Sequence, residues 1–301
     1  MERLIEEIHQ LSQERKAVIL AHAYQRDEVQ AIAHYTGDSL ALSRIAVDVD
    51  ADVIVLCGVR FMAETAEILN PDKIVLLPDS DAGCPLADMA TVIELRAKKE
   101  AYPEAAVVSY VNSSAAIKAE SDICCTSSNA VKIVNSLKEE QVIFVPDRNL
   151  GRYVAGKTDK RVILWPGFCP VHNYKITAKN IKRVQVAHPD ARVMVHPECP
   201  LEVIALADFV GSTAQMLEYT ANSSAREYVV GTERGLLYEL KQENPDKTFY
   251  SPSEDIICED MKKITLAKVA RSLEAMRYEV QVPEDVRVKA KRALDRMLEV
   301  T

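Results

Sequence analysis

The chain has 301 residues, enough for about two domains by length alone. Its 37 Lys and Arg against 45 Asp and Glu give a net charge of −8, and no basic stripe is interleaved with aromatic residues, which argues against a nucleic-acid surface. No apolar run reaches the roughly 18 residues of a membrane span, and the amphipathic start MERLIEEIHQLSQERK lacks a signal-peptide core. We therefore expect a cytoplasmic protein without a membrane or nucleic-acid partner.

The predicted elements repeat three times along the chain. Each repeat opens with an apolar strand that runs into polar and aromatic residues, as in VILAHAYQ, VVSYVNSS and VMVHPECP. A hydroxyl residue follows 17 positions on, within TGDSL, TSSNA and GSTAQ. A second strand with its helix and then a third strand come in phase, and a cysteine follows each third strand: Cys84, Cys169 and Cys258. Strands, hydroxyl residues and cysteines that recur in the same order and spacing indicate a structural repeat of 85 to 89 residues.

Short apolar strands that alternate with helical stretches predict parallel sheets covered on both faces. We expect an α/β protein with three similar three-layer αβα domains, arranged around a pseudo-threefold axis with the active site in the central cavity. The expected domains are residues 1–84 together with 265–301, residues 85–170, and residues 171–264. After the third repeat, a strand over 278–282 and a helix begun by Pro283 are expected to pack on the first domain.

Polar residues stand where the first strand of each repeat ends, and ligands of parallel sheets bind beyond those ends. They differ between repeats: His22, Tyr24, Tyr110, Asn112, His196 and Glu198. A glutamate and a tyrosine in a closed cavity can act as base and acid. The ordinary alternative for the histidines is a hydrogen-bonded core position. His172, in CPVHNYK, is a candidate to orient a ligand or contact substrate.

The in-phase hydroxyls Ser39, Ser127 and Thr213 stand at predicted helix starts. Capping of the helices explains such residues at each position taken alone. Three helix starts that point into one cavity would also bind carboxylates or a phosphate.

The three in-phase cysteines suggest a shared metal centre. Their wide separation lacks the local CxxC pairs of a zinc ribbon and the close cysteine run of ferredoxins. Three thiolates suit a [4Fe–4S] cluster with one open iron, which can act as a Lewis acid. A zinc site with Cys and His ligands is an alternative that metal analysis would decide. The other four cysteines are interpreted as structural: Cys57, Cys124, Cys125 and Cys199.

The motifs of the chain resemble those of the quinolinate synthase family over essentially its whole length. They are ILAHAYQ, GDSL, FMAETAEILNP, YVNSS, TSSNA, PDRNLG, CPVH, VHPECP, GSTAQM and GTERG, in that order. The resemblance implies condensation of iminoaspartate (iminosuccinate) with dihydroxyacetone phosphate to quinolinate, the precursor of the NAD pyridine ring, with release of phosphate and water. An aspartate oxidase or dehydrogenase would supply the iminoaspartate.

The same resemblance implies roles for individual residues. It makes Cys84, Cys169 and Cys258 the ligands of a [4Fe–4S] cluster. Tyr24 and Glu198 match residues implicated in proton transfer, with His196 assisting. The implied substrate-binding residues are His22, Ser39, Tyr110, Asn112, Ser127, His196, Glu198 and Thr213. Two positions depart from the common pattern: Ala23 stands where members often have Asn, and Ala214 where they often have Gly.

Two other functions are consistent with three cysteines on a threefold frame. A reductive dehydroxylase of isoprenoid diphosphates would need an electron donor and a pyrophosphate site. A non-catalytic iron–sulfur sensor or scaffold would bind a cluster but would not need the hydroxyl trio or the Tyr and Glu pair. Activity without a reductant separates the first from a condensing enzyme, and a substrate-dependent change in the cluster spectrum separates the second.

Overall fold

The computed structural model describes residues 1–300, and these confirm the α/β class. Three parallel sheets of four strands are each flanked by helices. Strands form where the sequence has short, continuous apolar runs, and the runs that open the first repeat are buried along their whole length. Within residues 1–300, no helix combines the length and the apolar character that crossing a membrane requires.

The elements follow one another in the same sequence in each repeat. In the first repeat they are α1 (Glu2–Glu14), β1 (Ala17–His22), α2 (Asp27–Ala31), β2 (Tyr35–Gly37), α3 (Ser39–Asp48), β3 (Val53–Cys57), α4 (Arg60–Leu69) and β4 (Ile74–Leu76). In the second, after a 3₁₀ turn at Ala87–Met89, they are α5 (Val92–Ala101), β5 (Ala105–Tyr110), α6 (Ala115–Ala119), β6 (Ile123–Cys125), α7 (Ala130–Ser136), β7 (Gln141–Val145), α8 (Arg148–Ala155) and β8 (Arg161–Leu164).

The third repeat starts with a π-helical turn at Val171–Lys175. It continues with α9 (Ala178–Ala187), β9 (Arg192–Val195), α10 (Leu201–Ile204), β10 (Phe209–Val210), α11 (Thr213–Asn222), β11 (Glu227–Gly231), α12 (Leu236–Glu243) and β12 (Thr248–Tyr250). The chain then ends with a 3₁₀ turn at Met261–Lys263, α13 (Leu266–Ala275) and α14 (Glu284–Val300).

The three sheets share one strand order. It is β2-β1-β3-β4 in the first, β6-β5-β7-β8 in the second and β10-β9-β11-β12 in the third, with every neighbouring pair parallel. In each repeat, the second strand therefore lies on one side of the first strand, and the third and fourth strands lie on the other side. This reversal opens a crevice beyond the carboxyl ends of the strands, which is where such sheets bind ligands.

Both faces of the third sheet are covered. Along β9, Val193 and Val195 belong to one apolar cluster, while Met194 belongs to another that contains Tyr228 and Val230. Successive side chains of a strand point to opposite faces, so this division follows from a run of apolar residues without alternation. Such burial holds the strand ends in place from both sides.

The segment after the third repeat joins the first two sheets. Helix α13 packs on α1 and β3 of the first repeat. Helix α14 was expected to pack on the first domain, but it packs mainly on α6 and β6 of the second repeat and less on α4. The strand expected over 278–282 is reduced to a single antiparallel bridge between Glu279 and Leu76. Its length is limited by β4, which has only three residues.

The hydroxyl residues expected at helix starts do not all lie there. Ser39 and Thr213 are the first residues of α3 and α11, and the capping side chains belong to Asp38 and Ser212 just before them. Ser127 instead precedes α7 by three residues, because the side chain of Asn129 accepts a hydrogen bond from the Thr126 N–H and forms a turn first.

Gly235 marks a close approach between the first and third repeats. A Cβ atom at this position would lie 2.7 Å from the Cα atom of Tyr24 and 2.9 Å from the carbonyl oxygen of Ala23. Since these neighbours are backbone atoms, they cannot move aside as a flexible side chain would. We expect Gly235→Ala to cost about 1–3 kcal/mol through overpacking and to lower the melting temperature by several degrees.

Gly156 offers a matched control, since a Cβ atom there would meet its nearest neighbour at an ordinary 3.6 Å. Gly156→Ala should change stability by no more than about 0.5 kcal/mol. Equal melting temperatures for the two variants would show that the junction at Gly235 is not tightly packed.

Candidate active site

One cavity collects all thirteen candidate site residues. It contains about 690 Å³ of space, part of which is open to solvent. The candidates that line it are His22, Tyr24, Ser39, Cys84, Tyr110, Asn112, Ser127, Cys169, His172, His196, Glu198, Thr213 and Cys258. Residues from all three repeats contribute, so the cavity exists only where the three sheets meet.

Glu198 lies at the centre of the polar network in this cavity. Its side chain is almost completely buried. The hydroxyl of Tyr110 donates a hydrogen bond to Oε1 at 2.7 Å, and Nδ1 of His172 lies 2.7 Å from Oε2. Burial opposes ionisation of Glu198, but the nearby His172 and His196 and the two hydrogen bonds outweigh it and lower its pKa to about 2. The carboxylate is therefore ionised at neutral pH.

A chain of hydrogen bonds links Glu198 to Tyr24. The hydroxyls of Tyr24 and Thr232 are 2.6 Å apart, and Oγ1 of Thr232 is 2.9 Å from Nε2 of His172. One donor pattern satisfies every link: Tyr24 donates to Thr232, Thr232 to Nε2 of His172, and Nδ1–H of His172 to Glu198. Burial first, and also the charge of Glu198, raise the pKa of Tyr24 well above its usual value, so its hydroxyl keeps its proton.

The two strand-end histidines make the same local hydrogen bond. Nδ1 of His22 accepts the backbone N–H of Tyr24 at 3.0 Å, and Nδ1 of His196 accepts that of Glu198 at 3.3 Å. Burial lowers the pKa of His22 to about 4 and that of His196 to about 3, so both rings are neutral near pH 7. With Nδ1 an acceptor, Nε2 carries the proton, and in His196 it donates to the hydroxyl of Ser127 at 3.2 Å.

Polar groups from all three repeats close the cavity on the side of the helix starts. The hydroxyl of Ser128 lies 2.9 Å from Oδ2 of Asp38 and 2.8 Å from the hydroxyl of Ser212. Nearby, Oδ1 of Asn112 is buried and has no hydrogen-bond partner within residues 1–300. An orphaned acceptor in a cavity wall is costly unless a ligand donates to it. Asn112 is thus suited to bind a donor group of a ligand.

The three in-phase cysteines face the same cavity and influence one another. Burial raises the pKa of all three thiols, that of Cys258 to about 11. Repulsion between the sulfurs raises the pKa further, since Cys84 interacts with Cys258 and Cys169 with both. Thiols held together in this way become thiolates readily only when a metal replaces their protons. This donor set fits a metal centre bound by three cysteines.

A second group of possible metal ligands overlaps with the first. The sulfur of Cys169, a ring nitrogen of His172 and a carboxylate oxygen of Glu198 all lie within 4.8 Å of one another. Nδ1 of His172 is 3.3 Å from the sulfur of Cys169. These three atoms form the hydrogen bonds described above, but they are also arranged so that they could bind a single zinc ion.

Several residues of the site had no assigned role in the sequence. Thr232 and Glu233 lie in GTERG, and Asp147 lies in PDRNLG. Asp147 and Glu233 are 86 positions apart, the same separation as Tyr110 and His196. This equal separation could have identified Asp147 and Glu233 as equivalent residues of two repeats, whereas no sequence pattern identified Thr232.

Removal of the Thr232 hydroxyl should leave the Tyr24 hydroxyl and Nε2 of His172 buried without partners. We expect Thr232→Val to destabilise the protein by about 1–3 kcal/mol, because unmade buried hydrogen bonds cost that much. Thr232→Ser keeps the hydroxyl and should stay closer to the original stability. Urea unfolding of the two variants measures the difference, and a valine variant as stable as the serine variant would show that the bridge does not contribute.

Comparisons with known proteins agree with the motifs of the sequence. The family model described as quinolinate synthetase A protein matches residues 6–299. The chain is 54% identical over 301 residues to quinolinate synthase 2 of Methanosarcina acetivorans, covering 100% of this chain and 97% of that protein. It is 55% identical over 295 residues to the quinolinate synthase of Geobacter metallireducens, covering 98% and 97%, respectively. It is 54% identical over 299 residues to the quinolinate synthase of Dehalococcoides mccartyi, covering 99% of each. The chain therefore belongs to the quinolinate synthetase A family.

Proposed function

We propose that this protein is a quinolinate synthase of de novo NAD biosynthesis. It condenses iminoaspartate with dihydroxyacetone phosphate to quinolinate and releases phosphate and water. The observation that carries the proposal is the single cavity in which the three cysteines, the Tyr24–Glu198 hydrogen-bond chain and the hydroxyl residues meet. Relatives of more than 50% identity over almost the whole chain, all named quinolinate synthase, support it.

The proposed cofactor is a [4Fe–4S] cluster held by Cys84, Cys169 and Cys258. The fit rests on three thiols that line one cavity, one from each repeat, and lie close enough to raise one another's pKa. When bound, a cluster with three protein ligands supplies an open iron that acts as a Lewis acid for the loss of water. Backbone N–H groups three residues after each cysteine favour its thiolate form: those of Ala87, His172 and Met261.

Glu198 acts as the general base in this proposal, and Tyr24 as the general acid. The low pKa of Glu198 keeps it deprotonated and the high pKa of Tyr24 keeps it protonated, which are the forms in which a base and an acid begin. Thr232 and His172 connect the two groups, so a proton gained from substrate at Glu198 and one given to substrate by Tyr24 leave the net charge of the network unchanged. His196, stacked on His172 with ring centroids 4.6 Å apart, holds that ring in place.

The remaining polar residues of the cavity are proposed to bind the substrates. Neutral His22 offers Nε2–H to a phosphate or carboxylate oxygen, and Asn112 offers its unpaired Oδ1 to the imine or to a hydroxyl. Ser39, Ser127 and Thr213 add hydroxyl donors, and Tyr110 and His172 also line the cavity. Such groups suit anionic substrates in a protein whose net charge of −8 provides no attraction.

The chemistry also suggests where the protein works. Iminoaspartate hydrolyses in water, so we propose that an aspartate oxidase or dehydrogenase supplies it close by in the cytoplasm. Both substrates are small molecules, and the proposal involves neither a nucleic acid nor a membrane.

The first test is metal content and product formation in protein purified without oxygen. We expect about four irons and four sulfides per chain, together with quinolinate formation that needs no reductant. Cys84→Ser should lose most of the iron and the activity. Cys124→Ser is the matched control, because its hydroxyl can keep the hydrogen bond to Ser109 and Cys124 lies outside the cavity lining.

Each contrary result points to one of the alternatives. Zinc instead of iron would favour the site formed by Cys169, His172 and Glu198. Turnover of isoprenoid diphosphates that needs a reductant would favour the dehydroxylase. A cluster whose spectrum does not change when the substrates are added would favour a sensor or scaffold. Any of these results would contradict the proposed function.

A second test concerns the base. Glu198→Gln keeps the size of the side chain but cannot accept a proton, so we expect turnover to fall by about 10²–10⁴-fold while the iron content is unchanged. Glu239→Gln serves as the control, since Glu239 bonds Thr36 outside the cavity lining. Near-normal turnover by Glu198→Gln would show that another group is the base.

A further inference from the structure

A buried carboxylate follows the second strand of the second and third repeats. Asp147 stands two residues after β7 and Glu233 two residues after β11, and neither side chain is exposed. In the first repeat the corresponding residue, two positions after β3, is the apolar Val59. Burial of a carboxylate costs free energy unless the group is hydrogen-bonded or paired, so both side chains should have binding partners.

Each carboxylate accepts a hydrogen bond from the backbone of a candidate cluster ligand. Oδ2 of Asp147 accepts the N–H of Cys169 at 3.0 Å, and Oε1 of Glu233 accepts the N–H of Cys258, also at 3.0 Å. The second oxygen of each carboxylate is bound locally. Oδ1 of Asp147 accepts the N–H groups of Asn149 and Leu150 at 2.8 and 2.7 Å, and Oε2 of Glu233 accepts that of Gly235 at 2.6 Å.

The first repeat shows what remains without the carboxylate. In all three repeats, the arginine after this position donates its backbone N–H to the carbonyl two residues before the cysteine. The pairs are Arg60 with Ala82, Arg148 with Gly167 and Arg234 with Ile256, at 2.8, 2.8 and 3.0 Å. Cys84 is therefore held by this shared backbone link, whereas Cys169 and Cys258 have a carboxylate in addition.

Glu233 also connects its cysteine to the loop that carries Tyr24. Nζ of Lys262 lies 3.1 Å from Oε1 of Glu233 and donates to the carbonyl oxygens of Tyr24 and Gln25. The position of Cys258 and that of the Tyr24 backbone are thereby fixed by the same buried ion pair.

We propose that Asp147 and Glu233 are positioning residues that hold Cys169 and Cys258 ready for the metal centre. The inference rests on the proposed function, since it takes these cysteines to be cluster ligands. Residues that orient metal ligands without touching the metal commonly change its affinity 10–100-fold when they are replaced. The two carboxylates fix the ligand backbone before binding, so less ordering is left for the cluster to impose.

The sharpest variant is Asp147→Asn. Its Oδ1 can still cap α8 by accepting the N–H groups of Asn149 and Leu150, because Asn is as good a cap as Asp. Its amide NH₂ then faces the N–H of Cys169 and cannot accept from it. The opposite orientation would restore one hydrogen bond and lose two, so it is disfavoured. Glu233→Met tests the third repeat, because it keeps the length of the side chain and removes both acceptor oxygens. A glutamine could keep Oε1 on the N–H of Cys258 and on Lys262 and lose only the N–H of Gly235.

The control is Asp122→Asn. Oδ2 of Asp122 also accepts a backbone N–H, that of Val107 at 2.7 Å, but in the middle of β5, three residues before Tyr110 of the cavity lining. All three variants are loaded with iron and sulfide without oxygen, and the rate of iron release to a chelator is followed by the loss of visible absorption. The melting temperature of each cluster-free protein is measured in parallel to separate ligand positioning from general stability.

We expect Asp147→Asn and Glu233→Met to release iron about 10–100-fold faster than the original protein, and Asp122→Asn to stay within about twofold. Release at the original rate by both variants would overturn the inference. The same would follow if Asp122→Asn were equally fast, or if neither cavity variant folded, since the carboxylates would then act on the fold as a whole. If only Asp147→Asn failed to fold, Glu233→Met would decide. An original protein that takes up no iron would instead overturn the proposed cofactor itself.

Discussion

The burial of the Glu198 carboxylate is possible only because other parts of the chain supply its hydrogen-bond donors. Tyr110 comes from the second sheet, and His172 from the turn that follows Cys169. The first repeat joins through Tyr24, whose hydroxyl reaches the network by way of Thr232. A buried charge without partners would cost several kcal/mol. The third repeat therefore cannot satisfy the Glu198 carboxylate alone, and the packing of the sheets against one another completes the site.

The three repeats use one backbone frame for different chemistry. The strand-end histidines of the first and third repeats bind the backbone two residues on through Nδ1, which fixes the same tautomer in each. In the second repeat Tyr110 replaces the histidine, and its longer side chain reaches across the cavity to Glu198. Identical strand orders place these residues at equivalent points, so their differences, and not the frame, determine what the cavity can bind.

Much of this arrangement followed from the spacing of the sequence. The in-phase strands predicted three parallel sheets, and the strand ends predicted which polar residues would line the cavity, because parallel strands place their carboxyl ends on one edge. Contacts between repeats were not predictable in this way. Thr232 acquires its importance from Tyr24 and His172, which are 208 and 60 positions away in the chain. Spacing within a repeat contains no information on such pairs.

Local details were missed where two signals competed. TSSNA predicts a helix start at Ser127. The Thr126 N–H instead donates a hydrogen bond to the Asn129 side chain, which forms a turn, and α7 begins at Ala130. Turns closed by a side chain and helix caps draw on the same small polar residues, so the sequence alone does not separate them. The consequence for the site is favourable, since Ser127 is left free of the helix and binds His196.

The position of Tyr24 depends on how the third repeat packs against the first. Ala23 belongs to the same apolar cluster as Met194 of the third sheet, and the Gln30 side chain donates to the carbonyl oxygen of Gly235 at 3.0 Å. These contacts lie outside the lining of the cavity, yet they fix the backbone on either side of the tyrosine. A small shift between the two repeats would separate the Tyr24 hydroxyl from Thr232 and so disconnect it from Glu198. Alignment of the proposed acid with the proposed base is therefore a property of the interface between two repeats, and residues remote from the substrates can control it.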